Sequence, residues 1–112
     1  MEAKELSQGD VILVSFDPSV GHEQKGYRPA LVVSSQRINR LTNGVVKVVP
    51  ISTTHNDFPL HIPLPSGMKT TGKVLLQQER TLDLNSRSFK LAEKAPKEFV
   101  SKMVEILIAE YE

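Results

Sequence analysis

Apolar and polar positions change period along this chain, and the changes divide it into elements. Gly9 to Phe16, GDVILVSF, is a mostly apolar run closed by Asp17-Pro18 and reads as a buried strand. Pro18 to Tyr27 is a loop rich in Gly and charge. Pro29 to Ser34 is a second β-rich run, with Pro at its first position, where no ladder donor is required. Gln36 to Thr42 suits a short helical turn, and Asn43-Gly44 is a turn signal. Val45 to Ile51, VVKVVPI, reads as a third strand bent at Pro50. Leu60, Ile62 and Leu64 alternate with His61 and Pro63, the pattern of a short edge strand. Lys73 to Gln77 and Glu79 to Leu84 read as one further strand with a bend.

The last part of the chain switches to helical spacing. Phe99, Val100, Met103, Val104, Leu107 and Tyr111 recur on one face, while Lys97, Glu98, Ser101, Lys102 and Glu105 fill the other. Pro96 suits the first helical position. No internal repeat, low-complexity segment or linker is visible, so residues 1–112 read as one domain. About five strands and one terminal amphipathic helix predict a mainly β fold, a small curled sheet or barrel.

Composition narrows the function classes. At 112 residues with 39% hydrophobic content, a real core can form without covalent staples. There is no Cys, which excludes a disulfide framework and thiolate chemistry. The three His lack metal-ligand spacing, so no metal or other cofactor is expected. A formal net charge of +1 is far from the signature of a non-specific nucleic-acid binder, so any nucleic-acid role must come from a local patch. The N-terminal MEAKELSQGD has no apolar leader region and no run is long enough to span a membrane, which points to the cytoplasm.

One constellation carries chemistry. Strands two and three are joined by a short connection centred near Arg40. Antiparallel pairing about that centre sets residues whose numbers sum to roughly 80 opposite each other, and Arg28 then faces Ser52. A slip of one or two residues would bring Thr53 or Thr54 there instead. Pro29 holds Arg28 in an extended backbone, so its side chain leaves the strand in a defined direction. A rigid guanidinium beside hydroxyls suits phosphoryl transfer on RNA: it offers forked donors to a phosphate and keeps its charge. The RNA 2′-hydroxyl supplies the nucleophile. Glu23, His22 and His55 are the candidate proton acceptors. Spacing alone equally allows Arg28 as a surface cation paired with Glu23 or Asp17, and Ser52-Thr53-Thr54 as a turn cluster. Phe16 and Tyr27 suit either the core or stacking on bases.

Taken in order, these segments resemble the MazF/PemK-type toxins of bacterial toxin–antitoxin pairs. GDVILVSFDPSVGHEQKGYRPALVVS is similar to that family's opening motif, VVPIST to its third strand, and KVLLQQERTLD to its V-L-x-D-Q-x-R-T-L/I-D segment. The resemblance covers nearly the whole chain. It implies an SH3-like antiparallel β-barrel with a C-terminal helix, a homodimer, and metal-independent cleavage of single-stranded RNA or mRNA. It also implies inhibition by a MazE-like antitoxin. The family's catalytic Arg falls on Arg28, its loop Glu on Glu23, and its catalytic Thr on Ser52, with Thr53 adjacent. RNA-binding roles fall on Phe16, His22, Gln24, Lys25, Tyr27, His55, Gln77, Gln78 and Arg80. Two positions depart from the pattern: Ser52 stands where the family has Thr, and Gln77 where it commonly has Asp. Two alternatives stay open, a CcdB-like gyrase-binding toxin and a non-catalytic SH3-like RNA- or protein-binding module. The first is expected to use a Trp near the C-terminus, and this chain has none.

Overall fold

The computed structural model describes residues 1–16, 27–54 and 56–112. Asp17-Pro18 and nearly all of the following loop, with His22, Glu23, Gln24, Lys25 and also His55, lie outside the described residues. The strands are β1 (Asp10–Ser15), β2 (Tyr27–Val32), β3 (Val45–Ser52), β4 (His61–Pro63), β5 (Lys73–Leu75), β6 (Arg80–Asp83) and β7 (Phe89–Lys94). A short helix α1 (Gln36–Leu41) joins β2 to β3, and α2 (Lys97–Ala109) closes the chain. The strands pair antiparallel in the order β4-β5-β3-β2-β1-β7, and β6 also pairs with β3. The mainly β architecture with a C-terminal helix is the one expected.

The β2–β3 register follows the expectation from the connection. Ala30 faces Pro50, Leu31 faces Val49 and Val32 faces Val48, each pair summing to 80. The connection is set by side chains. Ser35 caps α1 by accepting from the Ile38 N–H at 3.2 Å. The buried Asn39 donates to Leu6 O at 2.9 Å, and the Ser34 hydroxyl donates to Asn39 Oδ1 at 2.6 Å. Asn43 at φ 55° and Gly44 at φ 97° then turn the chain into β3.

Alternation along the central strands feeds two apolar clusters, one on each face of the sheet. Val11, Leu31, Val49, Ile51, Val74 and Leu76 pack against Val100, Met103 and Leu107 of α2. Ile12, Val14, Ala30, Val32, Val46, Val48, Leu82 and Leu84 pack together on the other face. Full burial of each such side chain is worth about 1.5–3 kcal/mol, so every central strand is held from both sides.

The structure corrects several expectations. β2 begins at Tyr27, so Pro29 is its third residue rather than its first. The β2–β3 ladder runs over Ala30–Val32, past the position that has no N–H to give. β3 runs unbroken through Pro50, but it changes partner there. Val45–Val48 pair with β6, while Ile51 and Ser52 pair with β5. The stretch from Lys73 to Leu84 is therefore two strands, split by a 3-10 turn over Leu76–Gln78. Val74 and Leu76 enter one cluster and Leu82 and Leu84 the other. An unbroken strand would have kept all four on one face. Pro96 is the cap of α2, not its first helical residue, because its carbonyl accepts the first helical bond from Val100 N while Ala95 is still bonded to Gly9 O.

β7 was not foreseen. Phe89 and Leu91 alternate with Lys90 and Ala92, and the strand pairs with β1. Val11 faces Glu93 and Ile12 faces Leu91, so Ala92 is a bulge. The bulge turns Glu93 away from the face of Leu91. Its carboxylate accepts from Lys69 N at 3.1 Å, Thr70 N at 2.6 Å and the Thr70 hydroxyl at 2.6 Å. These bonds, the Thr70 hydroxyl foremost, hold the Glu93 pKa below the ordinary carboxylate value against the opposing effect of burial. They tie β7 to the β4–β5 connection.

Candidate active site

Arg28, Ala30 and Val32 lie on one face of β2, and their β3 partners Pro50 and Val48 lie on the same face. The ladder ends at Ala30 and Pro50, and continuing its register by two residues sets Arg28 across from Ser52. Both line one open cavity of about 320 Å³ together with Phe16, Pro50, Ile51, Leu75, Gln78 and Arg80. Among its lining residues, Phe16 packs against the cluster of Val14 and Val48, and Ile51 belongs to the other. Arg28 is exposed and Ser52 half-buried, so both line the cavity at the rim of the sheet rather than in the core.

Arg80 enters the same space from β6, where it pairs with Val48. Its guanidinium carbon lies 4.9 Å from the centre of the Phe16 ring, within the range of a cation–π contact. The contact holds the guanidinium at the cavity, where its N–H groups can meet an anion. Two arginines, one hydroxyl and the Gln78 amide thus converge on one cavity. Such a set can bind a phosphodiester and donate to the oxygens of a pentacoordinate transition state.

Ser52 is held by its neighbours. Its Oγ accepts from Thr54 N at 3.3 Å, which leaves the hydroxyl hydrogen free to donate outward. On the far side, Gly72 has φ +125°, and a Cβ built there would lie 2.5 Å from Ser52 O. Only a glycine allows β5 to approach the backbone of Ser52 this closely. Lys73, the next residue, pairs with Ser52, and its Nζ donates to Asn56 O at 2.9 Å, pinning the segment that follows the serine.

Not every expected residue gathers here. Arg28, Ser52, Phe16, Gln78 and Arg80 come together. Thr53 is exposed and does not line the cavity. Tyr27 alternates with Arg28 and pairs with Ser15, which puts it on the opposite face of β2. Gln77 is exposed beside the cavity and meets His61 instead. Sequence reasoning missed Gly72, Lys73 and Pro50. Their only signal was indirect, because their importance depends on which strand lies beside Ser52.

Residues 7–110 match the family described as PemK-like, MazF-like toxin of type II toxin-antitoxin system. The chain is 38% identical over 110 residues to the endoribonuclease toxin ChpB of Escherichia coli (strain K12), covering 91% of this chain and 90% of that protein. It superposes on the crystal structure of MazF from Deinococcus radiodurans with a TM-score of 0.80 at 30% identity, covering 95% of this chain and 96% of that one. It also superposes on a MazE–MazF crystal structure from the same organism with a TM-score of 0.79 at 25% identity, covering 95% and 94% of the two chains. With family, relatives and fold in agreement over nearly its whole length, this chain belongs to the PemK-like, MazF-like toxins of type II toxin–antitoxin systems.

Proposed function

We propose that this endoribonuclease toxin cleaves single-stranded RNA by attack of a 2′-hydroxyl on the adjacent phosphate, with Arg28 and Ser52 donating to the phosphoryl oxygens. The observation that carries the reading is the convergence of Arg28, Ser52, Gln78 and Arg80 on one rim cavity, set by the β2–β3 register. The 2′-oxygen forms a bond to phosphorus as the bond to the 5′-oxygen breaks. The 2′-proton passes to a base, for which Glu23, His22 and His55 are the candidates. The departing 5′-oxygen takes up a proton, leaving a 2′,3′-cyclic phosphate and a 5′-hydroxyl. Negative charge grows on the non-bridging oxygens, where a forked guanidinium and a hydroxyl can each donate. One well-aimed donor of this kind is worth about 3 kcal/mol.

The nucleophile belongs to the RNA, so no metal-activated water is required. Among the described residues no His, Cys, Asp and Glu side chains gather as a metal-binding set. Phe16 with Arg80 offers a stacking and phosphate contact, while Gln78 offers base-edge hydrogen bonds. Tyr27, Gln77 and the loop residues His22, Gln24 and Lys25 would extend RNA binding beyond the cavity.

The protein would act in the cytoplasm as a homodimer neutralised by a MazE-like antitoxin. The MazE–MazF complex with the same fold supports the antitoxin partnership. Among the described residues no helix is long and apolar enough to cross a membrane. An acidic, partly apolar antitoxin segment would suit the Arg28–Arg80 rim and compete with RNA for it.

The test is cleavage of a synthetic RNA by purified protein. Arg28→Ala should slow cleavage by about a hundredfold or more. Arg28→Lys should restore little, because a point charge cannot fork. EDTA should not inhibit, and 2′-deoxy at the cut nucleotide should block cleavage. Cutting of the 2′-deoxy substrate would overturn the mechanism.

A further inference from the structure

The sheet face that carries Arg28 and Ser52 continues past β3. Pro50 and Leu75 lie on neighbouring strands and both line the rim cavity. Leu75 pairs in turn with His61 on β4. His61 therefore stands on the same face, one strand spacing of about 4.8 Å beyond the cavity wall. Its ring packs against Phe58 with centroids 5.2 Å apart and planes tilted by 57°. Its Nε2 lies 2.7 Å from Gln77 Nε2.

Phe58 is 45% exposed and belongs to neither apolar cluster. It is nevertheless held in place. Its N–H donates to Asn56 Oδ1 at 2.8 Å, and its carbonyl accepts from His61 N at 2.9 Å. Asn56 is itself gripped by Lys73. An aromatic ring that is fixed from behind and open to water in front has little conformational entropy to lose when something stacks on it. With the Gln77 amide nitrogen donating to His61, its carbonyl oxygen remains to accept from a ligand. His61 Nδ1 is buried and has no partner among the described residues, so the imidazole serves as a shelf for Phe58 rather than as a solvent-facing base.

From this we infer that Phe58, shelved on His61 beside Gln77, forms a nucleobase subsite. It would stack the base of a nucleotide neighbouring the scissile phosphate, with Gln77 reading a donor on that base. The inference rests on the RNA-cleaving reading of the Arg28–Ser52 rim. A base has the π face that Phe58 can stack on and the donor edge that Gln77 can read, and its backbone reaches the rim cations. It makes these residues determinants of which short sequence is cut.

Two measurements on the full chain separate the subsite from the catalytic reading. The first is affinity for a fluorescein-labelled RNA that carries the wild-type cut sequence with a 2′-O-methyl group at the cut nucleotide, which allows binding without cleavage. The second is the cut-site profile on a randomised RNA pool, read by sequencing. Phe58→Ala should weaken binding by about 5- to 150-fold, the usual worth of one stacked base, and Phe58→Trp should restore it. Gln77→Leu should change the profile at one position beside the cut. Phe58→Ala is expected to keep its melting temperature, since the ring packs in no core. Binding within about twofold of wild type and an unchanged profile would overturn the subsite. Loss of binding in Phe58→Ala that Phe58→Trp does not restore would overturn stacking. If Arg28→Ala still cleaves while Phe58→Ala binds poorly, the catalytic reading fails and the subsite stands. A wild-type protein that does not bind the RNA would overturn both.

Discussion

Replacing Gly72 with Ala tests whether the position of Ser52 is set from β5. Two costs arise. The backbone at φ +125° is one that side chains rarely adopt, and the strain is about 1–3 kcal/mol. The new Cβ would also lie 2.5 Å from Ser52 O and 3.0 Å from Ser52 C. Both neighbours are backbone, so no side chain can rotate away. Either β5 or the end of β3 must retreat by roughly 0.9 Å to restore ordinary contact. A displacement of about 1 Å at a catalytic group costs about a hundredfold in rate. Strain alone would lower Tm by about 5–20 °C in a domain of this size. Gly67→Ala provides the control. Its φ is +93°, but a Cβ there meets nothing within 4 Å. It should therefore lose comparable stability while leaving Ser52 in place. The assay is single-turnover RNA cleavage at a temperature where both variants are folded by circular dichroism, with melting curves alongside. Gly72→Ala should cleave about a hundredfold more slowly and Gly67→Ala near the wild-type rate. Equal losses in the two variants, or near-normal cleavage by Gly72→Ala, would refute the reasoning.

Three further outcomes are expected. Ser52→Ala should impair cleavage with little change in Tm, because the side chain is a rim hydroxyl outside the core clusters; if Thr53→Ala is crippled and Ser52→Ala is not, the hydroxyl has been assigned one residue too early. Asp10 is 1% exposed, bonded to Lys94 Nζ at 2.7 Å and accepting from Ser7 N at 2.8 Å. Asp10→Ala should cost about 1–3 kcal/mol in urea unfolding, and a midpoint unchanged from wild type would count against it. The Glu93 carboxylate titrates below its ordinary value, so its share of stability is present above the unfolded pKa and lost as pH falls through the lower folded one. Glu93→Gln should therefore be less stable than wild type at neutral pH, with the gap narrowing in melts taken down to about pH 3. A constant gap would show that the clip acts by shape rather than charge.

Most of the ladder that builds the rim was readable in the chain. Val45–Ile51 and Pro29–Ser34 are dense in β-branched residues, and the capped turn between them is short. A short connection allows few registers, and a slip of one residue would exchange the side chains packed into the two apolar clusters. That is why Arg28 and Ser52 could be set opposite each other from their numbers. Pro29, by restricting the backbone of Arg28, is likewise a local effect visible in two letters of sequence.

What the sequence hid has long-range causes. The alternation in β7 is short and carries four charged or small residues among six, so only its pairing with β1 shows it to be a strand. The bulge at Ala92 matters because Thr70, over twenty residues away, receives Glu93. The 3-10 turn over Leu76–Gln78 exists because β3 has two partners and the chain must pass from one apolar cluster to the other. Gly72, Lys73, Phe58 and His61 look like ordinary loop and edge residues until β4 and β5 are laid beside Ser52. Periodicity and backbone restriction are properties of a few consecutive residues, so the sequence alone determined β1 to β3, the terminal helix and the central β2–β3 register. Which strands lie side by side is decided by burial shared among distant segments, and only the tertiary structure determined what surrounds Arg28 and Ser52.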